Sequence, residues 1–296
     1  MKKLIFCGIL CFVVLLLVAD EAKKYDLVSK LKKGDSFTKS VKVEMESSME
    51  TEMGKQEMSM GLQVNGDMSV GDVDEKGTVT AMDKVTRVVS KIKGMGMEVE
   101  YDSDKKQEEG KESDPLSMTR AQIAQRYGRY VNKTFKTKIS KQWTVEIPED
   151  GKEMEKDMLL GYLEGMAQLP DHPVCVGDVW EVNIKRELGG SAEGGSLEMV
   201  VSLTLKEVKD STAIIEGKFK SAKVPEGEVE LEKSSYTLHF NIEKGYPESE
   251  ALSLSLVGKE KSLEGEDVSV MVVLKRKCEF KSKEEPKEEP KKEEQK

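Results

Sequence analysis

The chain has 296 residues, 47 basic and 56 acidic side chains, and a net charge of −9. Residues 1–19 are cationic and residues 281–296 carry six Lys and six Glu, so the acid excess lies in the body between them. An acidic body without a basic, aromatic-interleaved stripe repels phosphate backbones, so no nucleic-acid partner is expected.

The first element is MKKLIFCGILCFVVLLLVAD. Lys2 and Lys3 precede an apolar run from Leu4 to Ala19 that is shorter than the ~20 residues a membrane-crossing helix needs. Residues 1–19 therefore read as a secretory signal, with cleavage after Ala19. If left uncleaved, the same run would give membrane contact. Cys7 follows Phe6 and Cys11 follows Leu10, whereas lipid attachment needs a small residue before the cysteine. The reading implies export, to the periplasm or the cell exterior.

Residues 20–112 alternate at period two, the mark of half-buried strands. "SVKVEM" puts Val41, Val43 and Met45 on one face, and "EMSMGLQV" does so for Met58, Met60, Leu62 and Val64. "MGMEVEY" aligns Met95, Met97, Val99 and Tyr101. Met49 and Met53 are expected in the loop of a hairpin between the first two strands.

Residues 113–168 change character. "DPLSMTRAQIAQRYGRYV", 114–131, opens with a capping Asp and a Pro and carries Leu116, Ile123, Tyr127 and Tyr130 as a loose helical stripe. In 149–166, Met154, Met158, Leu159, Tyr162, Leu163 and Met166 make one apolar helical face. Two short strands, "TFKTKIS" and "QWTVEI", lie between these predicted helices.

Residues 169–280 return to alternation, with "GGSAEGGS" as a hairpin loop rather than a phosphate cradle. In "SYTLHFNIE" the apolar face is Tyr236, Leu238, Phe240 and Ile242, so His239 points the other way. His172 lies in the Pro-bounded loop "LPDHPVC". No nucleophile elbow, zinc helix, P-loop or dinucleotide fingerprint stands in the right setting, and neither enzymatic activity nor a cofactor is expected. The tail 281–296 lacks apolar residues and reads as disordered.

The two β halves share a plan. Gly34-Asp35 and Gly177-Asp178 each open an alternating strand through an aromatic, Phe37 and Trp180. "EMSMGLQV" then matches "LEMVVSLTL", and "DEKGTVTAMDKV" matches "VKDSTAIIEGKF". This ordered agreement implies an internal repeat, in which Gly and Asp serve a turn. The expected fold is mainly β, an α+β arrangement of curved antiparallel sheets from two similar halves, with one or two helices in the middle connection.

Cys175 and Cys278 bracket the second half, and an export signal makes a disulfide between them a candidate. Two buried thiols are the alternative. Sixteen methionines accompany seven Phe, and nine of the methionines lie between residues 45 and 97. They admit three readings. Met adapts to irregular core gaps; Met58, Met60, Met95, Met97 and Tyr101 could line a greasy surface for an acyl chain; and thioethers are soft ligands for Cu(I), although no metal site is specified by the pattern.

"KYDLVSKLKKGDSF", "MGKQEMSM", "DVDEKGTV", "YDS" at 101–103 and "LPDHPVCVGDVW" at 169–180 occur in this order. With them the chain resembles an uncharacterised family of bacterial exported proteins, a domain of unknown function. The resemblance spans roughly residues 24–280. It implies a signal peptide and a β-rich exported domain, and supplies no activity and no catalytic residues. The function expected is a non-enzymatic exported protein that binds an apolar ligand, lipid or acyl chain, or a cell-envelope partner. A purely structural envelope protein with a filled core and a hydrolase using His239 or His172 are the alternatives.

Overall fold

The computed structural model describes residues 23–51, 54–94, 96–105, 116–146, 168–188, 195–224, 227–261 and 267–283. The signal, the second predicted helix at 149–166 and most of the tail lie outside the described residues.

The alternating segments form strands β1 (Ser36–Thr51), β2 (Gly54–Val73), β3 (Val79–Gly94), β4 (Met97–Asp102), β5 (Thr134–Ile139) and β6 (Val145–Glu146). The second half supplies β7 (Val179–Leu188), β8 (Gly195–Lys209), β9 (Thr212–Val224), β10 (Gly227–Glu228), β11 (Glu230–Asn241), β12 (Tyr246–Lys261) and β13 (Asp267–Ser282). Helix α1 (Ser117–Gly128) lies between β4 and β5. The fold is mainly β, and the described strands join one antiparallel sheet of 13 rather than several. Its order is β6-β5-β3-β2-β1-β13-β12-β11-β9-β8-β7, with β4 on β3 and β10 on β9. The two halves fuse where β1 pairs β13, from Phe37 opposite Ser282 to Glu50 opposite Ser269. β13 runs through Ser282, so the strand takes in the first residues assigned from sequence to the tail.

The two Gly-Asp turns match bond for bond. Asp35 Oδ2 accepts from Lys32 N at 2.8 Å, and Asp178 Oδ2 accepts from Cys175 N at 2.8 Å. Gly34 N donates to Val70 O at 3.0 Å and Gly177 N to Leu205 O at 2.8 Å, while Val70 N and Leu205 N donate back to Asp35 O and Asp178 O. Gly34 has φ 98° and Gly177 has φ 97°, a conformation that a side chain disfavours.

The strands past these turns bury one face and curl until that face meets itself. Val79, Ala81 and Ile139 from one end of the sheet share a core with Val182, Ile184 and Leu197 from the other. The segment before β1 closes this end. Tyr25 bridges Val174, Ser29 N donates to Lys141 O at 2.8 Å, and Leu27 is fully buried. Further along β1–β3, α1 lies over the same face and packs Ile123 and Tyr127 on Val99 and Tyr101. The helix starts at Ser117 without a side-chain cap, and Asp114 lies outside the described residues.

Two expectations are corrected. Met49 is in strand rather than loop: it stands opposite Gln56 and Val270, because the β1–β2 hairpin closes tightly at Thr51 and Gly54. Cys175 and Cys278 are not joined by a disulfide. Cys175 sits in the turn before the edge strand β7, whereas Cys278 lies on β13, five strands inward, between Val41 and Glu250.

Candidate functional site

Two regions of the core face stand out. The first is ionic. Lys39, Asp83, Glu250 and Arg276 are all buried. Lys39 Nζ lies 3.4 Å from Asp83 Oδ1, and Thr137 Oγ1 donates to Asp83 Oδ2 at 3.0 Å. Arg276 Nη1 donates to Glu250 Oε2 at 2.8 Å. Gly66, opposite Lys39 on β2, has no side chain to stand between β1 and β3. Burial would by itself lower the Arg276 pKa, but the Glu250 carboxylate outweighs it and keeps the guanidinium charged. Burial pushes the Cys278 thiol up to about 11 and the Tyr236 phenol well above its ordinary range.

The hollow among these groups, walled also by Trp143 and Phe280, measures about 20 Å³, too small for an organic ligand. Trp143 stands at φ 63° with its ring centroid 6.4 Å from those of both Phe240 and Phe280, tying the two halves together. Replacing a buried pair of this kind by well-packed apolar residues is often neutral, whereas losing one partner costs about 3–5 kcal/mol. The sequence carries a signal for them: Phe37-x-Lys39-x-Val41, Ala81-x-Asp83-x-Val85 and Arg276-x-Cys278 each put a charge on the core parity of a strand.

The second region is apolar. Burial along β2 decays from Val70 at the closed end to Gly54 at the hairpin tip. Past the rows that α1 covers, the core face continues with no fold-over opposite it among the described residues. Met45 stands opposite Met60 and Leu274, and Met60 opposite Ile92. In the next row Ser47 stands opposite Met58 and Val272, Met58 opposite Gly94, and Gly94 opposite Met97. Met49 and Val270 follow. Met58 is 47% exposed, Met97 49% and Met49 38%. A Cβ on Gly94 would approach the Met58 Cγ to 3.2 Å, so the Met58 side chain leans over the glycine that separates it from Met97.

The predicted ligand-facing residues thus divide. Met58 and Met97 come together on the open strip. Met60 is half-buried against the second core, Tyr101 is buried there beneath α1, and Met95 lies outside the described residues. A groove of about 690 Å³ also crosses this tip, bordered by Met58, Met97, Met271 and Val273 and by charged Glu46, Lys55, Glu57, Lys93 and Glu98. Strand parity turns Glu46, Glu57, Lys93, Glu98, Met271 and Val273 to the face opposite the core, so an amphipathic rim flanks the apolar strip.

The histidines stand apart from both regions. His239 lies on the non-core face of β11, opposite Ser249 and Ile214. His172 is exposed, with Nδ1 at 2.8 Å from Oδ1 of its neighbour Asp171. Among the described residues no group of three or more His, Cys, Asp or Glu is placed to hold a metal.

No family model and no curated protein matches the chain. Among solved structures, one of lipovitellin, concerned with lipid–protein interactions in that protein, is similar over 88% of this chain at 9% identity and a TM-score of 0.41. The match takes in 26% of that chain, so this protein spans about a quarter of its length.

Proposed function

We propose that the protein is an exported, non-enzymatic carrier or sensor that seats the acyl chain of a lipid on the open strip of Met49, Met58, Met97, Val270 and Val272. One observation carries the reading: an apolar core face continues into solvent at the end of a curled sheet, with its methionines about half exposed. Monomeric proteins seldom leave such a face uncovered without a use for it. Thioether side chains suit a flexible chain, since they re-pack around variable shapes. The apolar run at 4–19 and the match of short motifs in order support export and membership of the exported family described above.

The test is native mass spectrometry of the protein recovered from the exported fraction without detergent, set beside its denatured mass and an organic extract. A lipid-sized added mass that denaturation removes is expected. Met58→Asp combined with Met97→Asp should abolish it with little loss of stability, because both side chains are half in water. A bare wild-type mass would sink the reading and move the search to protein partners on the same strip.

A further inference from the structure

The matching turns make β7 the counterpart of β1. Each strand leaves its Gly-Asp turn, pairs with the next strand in sequence, and that strand pairs with a third. On its other side β1 is covered by β13 along almost its whole length. The corresponding side of β7 meets no strand among the described residues, and β7 ends the sheet order. An edge that meets no strand among the described residues is a template for another strand. Edge strands are protected when the charges they carry repel a copy of themselves. In the register about Asn183, β7 does the opposite.

If β7 pairs antiparallel with β7 of a second copy about Asn183, Glu181 falls opposite Lys185 of the partner subunit, and Lys185 opposite the partner's Glu181. On the core face Val182 falls opposite the partner's Ile184. Like faces stay together because each pair has the same parity. Glu181, Asn183 and Lys185 are exposed, and Val182 and Ile184 are buried, in the single chain. Glu181 is paired with Lys220, and Lys185 with Glu198 at 2.8 Å. These are exposed pairs of little worth, and their carboxylates can accept a second donor. We infer that β7 is the contact strand of a symmetric dimer, in which two copies join their sheets edge to edge through residues 181–185.

Sedimentation analysis of the purified full chain, in a mild detergent that keeps residues 4–19 from driving association, reads the state directly. A concentration-dependent dimer is expected. Glu181→Lys sets like charges opposite at two symmetric places and should weaken the dimer about tenfold or more. Adding Lys185→Glu to it restores opposite charges and should restore the dimer. Asn183→Cys in a Cys175→Ser background should cross-link to its own copy with a short bis-methanethiosulfonate, each cysteine sulfur displacing a sulfinate, because facing residues at the two-fold lie about 5 Å apart at Cβ. A chain that stays monomeric at the highest soluble concentration overturns the inference. A dimer that ignores both charge changes and gives no cross-link at residue 183 overturns it equally, since association then runs through another surface.

Discussion

Arg87 holds Asp102 with two bonds, Nε to Oδ1 at 3.0 Å and Nη2 to Oδ2 at 2.7 Å. The Arg87 hydrogen bond is the main cause that brings this carboxyl from 3.8 down to about 2. A depressed carboxylate stabilises the fold fully above its unfolded value, near pH 4, and the contribution fades as pH falls through about 2. Asp102→Asn should therefore lose about 1–3 kcal/mol at neutral pH, and urea melts run from pH 6 down should show its gap from wild type closing between pH 4 and 2. A gap constant with pH would mean that Asp102 acts by packing. At this scale the sequence was partly readable. Alternation placed His239 away from the core, and it held also for Val41, Leu62 and Tyr236. Lys39, Asp83 and Arg276 occupy the same core parity and are buried, but a charge at a core position is not an apolar signal and alternation of apolar residues does not mark it.

At the level of the element, the turn that opens β1 and β7 depends on glycine's backbone alone. Nothing lies within 4 Å of a Cβ added at Gly34 or Gly177, so a clash cannot explain any loss there. Gly34→Ala and Gly177→Ala should each cost about 1–2 kcal/mol in denaturant unfolding. Gly258→Ala is the control: its site is equally open and has no positive φ. Equal, negligible costs at all three sites would refute the turn argument. These turns were legible because Gly, Asp and the strand after them are local signals. The β1–β2 hairpin was not, since strand length past Met45 is decided by the partners Met49 finds on β2 and β13.

The whole molecule is held by contacts between its ends. Leu27 is buried in the core that both ends of the sheet share, in the segment that spans from Val174 to Lys141. Leu27→Ala should cost about 2–5 kcal/mol. Circular dichroism and the fluorescence of Trp143 and Trp180 should report one coincident transition, shifted as a unit. Two separate transitions would mean that the halves fold independently and that the β1–β13 seam is a contact between domains.

Period-two alternation, the Gly-Asp turns and the acidic body are written in neighbouring residues, and they suffice for a mainly β chain whose two Gly-Asp turns match. Alternation says which residues share a face; it is silent about what that face will meet. The curl of the sheet decides that Met68 is sealed in, that Met60 is half-covered and that Met58 is left open, though all three lie on one strand with one parity. Strand order likewise keeps Cys175 and Cys278 apart and leaves β7, but not its counterpart β1, at an edge. Those outcomes depend on pairings between residues more than 200 positions apart, such as Val41 with Cys278, which no local pattern encodes.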